Sequence, residues 1–239
     1  MMRALLLAAG RGERLRPVTD TIPKCLVPIH GRPLLEIWLD HLFETPGLIE
    51  RVLINTHYLA DQVEKFVSES KWVDRIDLVY EEDLLGTAGT LAANRAFFNN
   101  ETAFVAHADN LTDFCLRKMF QQHASRPSGH CITMLSFETD VPQTCGILEC
   151  TKDGTVVGFH EKVENPPGNL ANAAVYIMES EVMEFAGRLP SKVNDISLDV
   201  IPHFLGRILL CENEGYHRDI GSIESLNRAH AEYSFHDEV

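Results

Sequence analysis

Between positions 11 and 32 the chain carries Arg11, Arg14, Arg16, Lys24 and Arg32 against only Glu13 and Asp20, although its formal net charge is −14. A cationic island on an acidic molecule suits a compact anion. Nucleic acid and anionic membrane are repelled by the field of the whole chain, so neither is expected as a partner. The stretch LAAGRGERLRPVTDTIPKCLVPI, residues 7–29, also contains Gly10 and Gly12. Glycine lets backbone amides come close to phosphate oxygens and take dihedrals that a Cβ forbids. No G-K-[ST] follows, and the third glycine of the dinucleotide fingerprint is missing, so neither of those phosphate loops is present. An ordinary strand-to-helix connection is the plain alternative, and the clustering of the cations favours phosphate.

Carboxylates supply the second chemical signal. Asp109 ends the apolar run TAFVAHAD and Asp219 lies just before IGSIESL. Mg²⁺ keeps waters and needs only one or two carboxylates beside phosphate oxygens. Taken alone, Asp219 reads better as a carboxylate near a helix start. Histidine stands two residues before each aspartate, His107 and His217, so two His-x-Asp units could instead build a zinc or manganese site. The segment FHEK, residues 159–162, is either a charged loop after a strand or a polar binding segment. Six cysteines without a C-x-x-C pair fit reduced, mostly buried thiols.

These residues need elements to position them. Apolar strand patterns at RALLLA (3–8), RVLINT (51–56), IDLVYEE (76–82) and TAFVAHAD (102–109) alternate with helical patterns at 32–43, 60–70 and 89–98. That rhythm predicts a parallel sheet covered on both faces. HCITMLSF, CGILEC, TVVGFHEK and ANAAVYIM then read as strands with short connections, followed by helices at 181–189 and 222–234. The expected fold is one α/β domain over 1–239 with a Rossmann-like, mixed, mainly parallel sheet flanked by helices. At 239 residues and 45% apolar composition the chain can bury one sizeable core. The apolar run near Met1 stops at Gly10, too short for an export signal, and no window approaches the ~20 apolar residues of a membrane span. A soluble, cytoplasmic protein is expected.

The run L-A-A-G-x-G-x-R-L-x-P-x-T…P-K-x-L-x-P resembles the signature of the sugar-1-phosphate nucleotidyltransferases, whose nucleotide-diphospho-sugar transferase fold agrees with the pattern above. GTAGTL (86–91), HADN (107–110), FHEK, NAAVYI (172–177) and RDIGSIESL (218–226) agree in order. The resemblance implies in-line attack of a sugar 1-phosphate on the α-phosphorus of a nucleoside triphosphate, with Mg²⁺ held by Asp109 and Asp219. It gives Arg14 the β- and γ-phosphates and Lys24 the α-phosphate. It assigns the nucleotide to Leu7, Ala8, Ala9, Gly10, Gly12, Gly86, Thr87 and Gly89. The sugar phosphate falls to Gly146, Glu161, Lys162 and Asn172, although Val163 replaces the proline usual after the lysine.

GTAGTL looks like the G-T-A-G of guanylyltransferases for mannose- or heptose-type sugars, and uridylyl or cytidylyl transfer stays open. A glycosyltransferase consuming nucleotide sugars would be expected to carry D-x-D, which does not occur. A non-catalytic nucleotide-sugar sensor typically loses the basic or acidic residues that are present here. Hexapeptide repeats of a β-helix are absent, and a homodimer stays open.

Overall fold

A computed structural model describes residues 1–190 and 194–235. We label the main strands β1 Met2–Leu7, β2 Ile49–Thr56, β3 Ile76–Tyr80, β4 Ala103–His107, β5 Ile132–Glu138, β6 Gly146–Cys150, β7 Thr155–Glu161, β8 Leu170–Met178 and β9 Ile208–Glu212. They form one nine-stranded sheet in the order β3-β2-β1-β4-β8-β5-β9-β7-β6. The first four are parallel. β8 runs antiparallel to β4 and β5, β9 is parallel to β5, and β7 is antiparallel to β9 and β6.

The helices are α1 Leu34–Phe43, α2 Ala60–Ser68, α3 Thr87–Ala93, α4 Leu116–Ala124, α5 Ser180–Ala186 and α6 Ile223–Glu232. Side chains alternate across a strand, so the continuous run in β1 supplies both faces. Ala4 and Leu6 pack with Trp38, Leu39, Val63 and Met119 of α1, α2 and α4. Leu5 points the other way, toward Leu91 of α3 and Val182 of α5. A third cluster joins Leu15, Val27 and Ile29 of the basic stretch to Leu111, Ile220 and Leu226. No described helix is long and apolar enough to cross a membrane.

Most boundaries shift by one to three residues from the sequence pattern, and three of the shifts have a visible cause or consequence. The helix expected over 89–98 stops at Ala93, where the Asn94 side chain donates to the Thr90 carbonyl at 2.9 Å. A separate short turn, Arg95–Phe98, then buries Phe98 and presents the Phe97 carbonyl to Arg3. The helix expected from 32 starts at Leu34, because Arg32–Pro33 pairs with Pro28–Ile29 as a small hairpin. The strand expected through 82 ends at Tyr80. Two elements had no counterpart in the pattern, α4 and β9; α4 shows core only Leu116, Met119 and His123.

The order β3-β2-β1-β4 puts consecutive strands on opposite sides of β1. In such sheets the crevice beyond the carboxyl ends at the reversal point is where ligands sit. Here that crevice lies between the ends of β1 and β4.

Candidate active site

The basic stretch leaves the end of β1 and folds through three short turns, Glu13–Leu15, Val18–Asp20 and Lys24–Leu26. Gly12 begins the first at φ +64, and a Cβ there would lie 2.8 Å from Thr19 Cγ2. The buried Thr19 hydroxyl donates to the Gly12 carbonyl at 2.7 Å, and Tyr58 donates its hydroxyl to the Thr19 carbonyl at 3.0 Å. Leu15 and Val27, both buried, anchor the two ends, so the stretch is a fitted scaffold. Gly10 differs from Gly12: a Cβ there would meet no protein atom within 4 Å, so the fold itself makes no demand for glycine.

β4 ends at His107 and the chain continues into a two-stranded ribbon, Asn110–Thr112 against His217–Asp219. Its register sets Asp219 opposite Asn110, next to Asp109, and the Ile220 amide donates to the Asp109 carbonyl at 3.0 Å. Trp38 of α1 donates to the Asn110 carbonyl at 2.8 Å. Two carboxylates 110 residues apart in sequence (109 and 219) therefore meet. The Lys24 ammonium sits between them, 2.5 Å from Asp109 Oδ2 and 3.1 Å from Asp219 Oδ1. Arg14 approaches Asp219 from the exposed side at 3.7 Å. Burial pulls the Lys24 pKa down, but the two carboxylates more than reverse this and hold it above its ordinary value. Burial likewise opposes the charge on Asp109, and Lys24 with His107 carries its pKa below the usual carboxylate value. Gly221 makes room: a Cβ there would lie 2.5 Å from Asp219 Oδ2 and 3.0 Å from an Arg14 nitrogen.

The remaining cations of the island divide their attention. Arg16 pairs with Asp20 at 3.3 Å, and Arg32 turns away to Asp40 of α1 at 2.7 Å. Arg11 makes no ion pair among the described residues.

A buried polar network supports the next segment. The Ala8 amide donates to Asn55 Oδ1 at 2.7 Å, Asn55 donates to Glu81 Oε1 at 3.0 Å, and Thr90 donates to the same oxygen at 2.5 Å. Glu81 Oε2 accepts from the Leu85 amide at 3.1 Å. The backbone after Leu7 and the turn before Gly86 thus rest on one platform, with Ala9 buried beside it. Gly86 has φ +75 and a Cβ there would lie 2.6 Å from Asn194 Cγ. The Thr87 hydroxyl accepts from the Ile196 amide at 2.8 Å, and a Cβ at Gly89 would be 3.1 Å from Leu85 Cβ.

On the antiparallel half, Gly146 pairs with Glu161 across β6 and β7, and a Cβ at Gly146 would lie 2.5 Å from Glu161 Oε2. Lys162, at φ +50, turns its ammonium to Glu161 Oε1 at 2.9 Å. Asn172 lies on β8 beside Ala173, whose carbonyl accepts from Asn110 at 3.0 Å, which ties the strand to the aspartate ribbon. The pattern missed Asn55, Glu81, Thr90, Gly221 and Asn194. For Asn55 a signal existed, since it is a polar residue at the carboxyl end of an otherwise apolar strand.

Two carboxylate oxygens converging on one cation, beside a backbone loop that leaves space at Gly10, are an oxygen donor set that fits a hard divalent ion. Among the described residues no three of His, Cys, Asp and Glu gather as a metal cage, which disfavours the His-x-Asp zinc reading. His217 is instead half-buried with its ring 4.1 Å from Phe137, and desolvation pushes its pKa down to about 3.

Residues 3–235 match the nucleotidyl transferase family. The chain is 30% identical over 235 residues to the mannose-1-phosphate guanylyltransferase of Mycobacterium tuberculosis, covering 96% of this chain and 64% of that protein. It thus spans less than two thirds of that relative's length. Among solved structures, a Bacillus anthracis chain named for glucose-1-phosphate thymidylyl transfer superposes with a TM-score of 0.84 at 23% identity, covering 99% of this chain and 98% of that one. HddC from Yersinia pseudotuberculosis superposes with a TM-score of 0.80 at 24% identity, covering 98% and 100%, and has also been solved with GMP-PN. At such identities the superpositions establish the fold, and the sequence match establishes the family: the chain belongs to the nucleotidyl transferases.

Proposed function

We propose that the protein transfers a nucleotidyl group from a nucleoside triphosphate, GTP by preference, to a mannose- or heptose-type sugar 1-phosphate. The observation that carries this reading is the meeting of Lys24 with Asp109 and Asp219 at the end of β4, beside the Gly10–Gly12 loop. A phosphate oxygen of the sugar 1-phosphate attacks the α-phosphorus. The new O–P bond forms in line as the bond to the β-phosphate oxygen breaks, and pyrophosphate leaves. No protein nucleophile is required, so the work is positioning and charge stabilisation.

Asp109 and Asp219 would hold Mg²⁺, which when bound supplies positive charge to the phosphate oxygens. The chain's own groups do the rest. Arg14 is exposed and free to swing toward the β- and γ-phosphates that become pyrophosphate. Lys24, held charged by the two aspartates, stabilises the charge moving through the α-phosphate. The backbone from Ala9 to Gly12 and the turn at Gly86 and Thr87, both carried by the Asn55–Glu81–Thr90 platform, would take the nucleotide. Gly146, Glu161, Lys162 and Asn172 take the sugar and its phosphate.

Guanine is favoured by the GTAGTL segment and by the names of the sequence relatives. A mispaired buried polar group costs about 1 to 3 kcal/mol, so one mismatch separates bases by roughly 10-fold or more. The test is a matrix of the four nucleoside triphosphates against sugar 1-phosphates, with pyrophosphate release followed in Mg²⁺. GTP with mannose 1-phosphate or a heptose 1-phosphate should lead in kcat/KM by at least ~10-fold on that scale. A UTP or CTP preference would move the reading to another base, and no release with any pair would replace it by a nucleotide-sugar sensor.

A further inference from the structure

The outermost turn of the basic stretch, Val18–Asp20, is gripped from outside by two side chains to which the proposed chemistry gives no role. Tyr58 lies just before α2 and Gln62 in its first turn, beyond the carboxyl end of β2. The Tyr58 hydroxyl donates to the Thr19 carbonyl at 3.0 Å, with the Asp20 carbonyl 3.5 Å away, and Gln62 Nε2 donates to the Thr21 carbonyl at 2.9 Å. Three consecutive carbonyls thus face donors from one neighbouring segment. The residue between those donors is held in an uncommon conformation. Leu59 stands at φ +51, and its carbonyl accepts from the Gln62 amide at 3.1 Å. A left-handed non-glycine residue persists only where its surroundings hold it.

On its inner side the same turn presses on the glycine loop. Thr19 is fully buried, and its hydroxyl donates to the Gly12 carbonyl at 2.7 Å. That carbonyl also accepts from the Leu15 amide at 2.9 Å, which closes the turn that carries Arg14. Gly12 lies so close beneath Thr19 that a Cβ would stand 2.8 Å from Thr19 Cγ2 and 3.2 Å from Lys24 Cβ. A shift of the 18–21 turn is therefore transmitted by contact to Gly12, Arg14 and Lys24. Thr19 is the relay, and Tyr58 and Gln62 fix where it sits.

We propose that Tyr58 and Gln62 are positioning residues for the triphosphate: they latch the 18–21 turn and, through Thr19, hold the Gly10–Gly12 loop, Arg14 and Lys24 in the arrangement that the phosphates meet. This rests on the reading of that loop as the phosphate site. A loop ordered before the ligand arrives removes that cost from binding, and a protein whose competent arrangement is only partly populated binds more weakly in proportion. The latch acts on the partners of the phosphates and on neither base nor sugar. Its loss is felt by every triphosphate alike.

The test is titration calorimetry of the full chain in Mg²⁺ with GTP and with inorganic tripolyphosphate, beside steady-state kinetics with mannose 1-phosphate or a heptose 1-phosphate. Tyr58→Phe and Gln62→Leu each remove one donor and little volume. Each should weaken both ligands by about 5-fold, the scale of one hydrogen bond, and the two together by about 10-fold or more. KM for the triphosphate should rise by the same factor, while kcat and the KM for the sugar 1-phosphate stay near the wild type. Trp72→Phe deletes a hydrogen bond to Asp40 of 2.8 Å away from the loop, so it controls for lost stability alone and should leave both affinities unchanged. Gln62→Leu carries the test if Tyr58→Phe does not fold. Unchanged affinity in the double variant, a loss seen with GTP but absent with tripolyphosphate, or an equal loss in Trp72→Phe overturns the latch. A wild type that binds neither ligand overturns it together with the phosphate site. If the wild type binds both but no sugar 1-phosphate yields pyrophosphate, only the proposed reaction falls, and the calorimetry still decides the latch.

Discussion

Lys24 is the residue on which most of the site's electrostatics turn. Removing the buried ammonium leaves the partly buried Asp109 and the half-exposed Asp219 uncompensated, at a cost of about 1 to 3 kcal/mol. Lys24→Met should thus lose stability as well as activity, with kcat falling about 100-fold, the scale of one preorganised electrostatic contact. The two effects separate under Mg²⁺ titration. A divalent ion between Asp109 and Asp219 replaces the missing charge, so the thermal midpoint of Lys24→Met should rise with Mg²⁺ more than that of the wild type. An equal rise in both proteins would deny that the aspartates hold the metal. Asp109→Asn and Asp219→Asn test the same point kinetically. Two ligands of one ion lose largely the same activity, so the double variant should fall far less than the product of the single losses. Independent, multiplying losses would give the aspartates separate jobs. The residue types here were legible in the sequence, since a basic island and two strand- or helix-flanking aspartates stand out. The contact of Lys24 with both carboxylates was not, because it depends on a ribbon that pairs residues 110–112 with 217–219.

At the scale of elements, the parallel strands were readable because strands covered on both faces are continuously apolar. The breaks were not. Pro33 looks like a helix start, yet the Arg32–Pro33 hairpin delays α1 by two residues, and Asn94 ends α3 through a bond to the turn before it. The polar platform of Asn55, Glu81 and Thr90 was hidden for a similar reason: three residues on different elements become one network only when the sheet is assembled. Glycines divide in a way that predicts different phenotypes. Gly10→Ala meets no protein atom, so its stability should stay within about 0.5 kcal/mol of the wild type, while its KM for nucleoside triphosphate rises about 10-fold or more. Gly86→Ala must push Asn194 aside and adopt φ +75, so it should lose about 1 to 3 kcal/mol in denaturant melts as well as nucleotide affinity. A destabilised Gly10→Ala with normal KM would remove that loop from the phosphate site.

The whole molecule is acidic, and its pH response should be set by buried histidines. His41 packs against Phe114 with Nε2 unpartnered, and burial pushes its pKa down to about 4 from an ordinary 6.5. The unfolded chain then binds the proton more readily. Stability from this group is complete above pH 6.5 and is lost as pH falls toward 4. At pH 5 one such group costs about 2 kcal/mol. The urea midpoint should drop between pH 7 and pH 5, and His41→Phe should flatten that drop; an unaltered slope would place the titration elsewhere. Nothing in the sequence marks His41 Nε2 as enclosed without a partner, since Phe114 reaches it only through packing, although Trp38 lies one turn before it on α1. The nine-stranded sheet joins the parallel half, proposed for the nucleotide, to the antiparallel half, proposed for the sugar 1-phosphate, so one transfer would cross that join. Phosphorus NMR of the wild-type chain with GTP, mannose 1-phosphate or a heptose 1-phosphate, and Mg²⁺ tests it directly. The predicted spectrum gains the two coupled resonances of a guanosine diphosphosugar together with free pyrophosphate in equal amounts, and with Lys24→Met both grow about 100-fold more slowly. Orthophosphate in place of pyrophosphate, or a spectrum unchanged with every sugar 1-phosphate and triphosphate supplied, would contradict it.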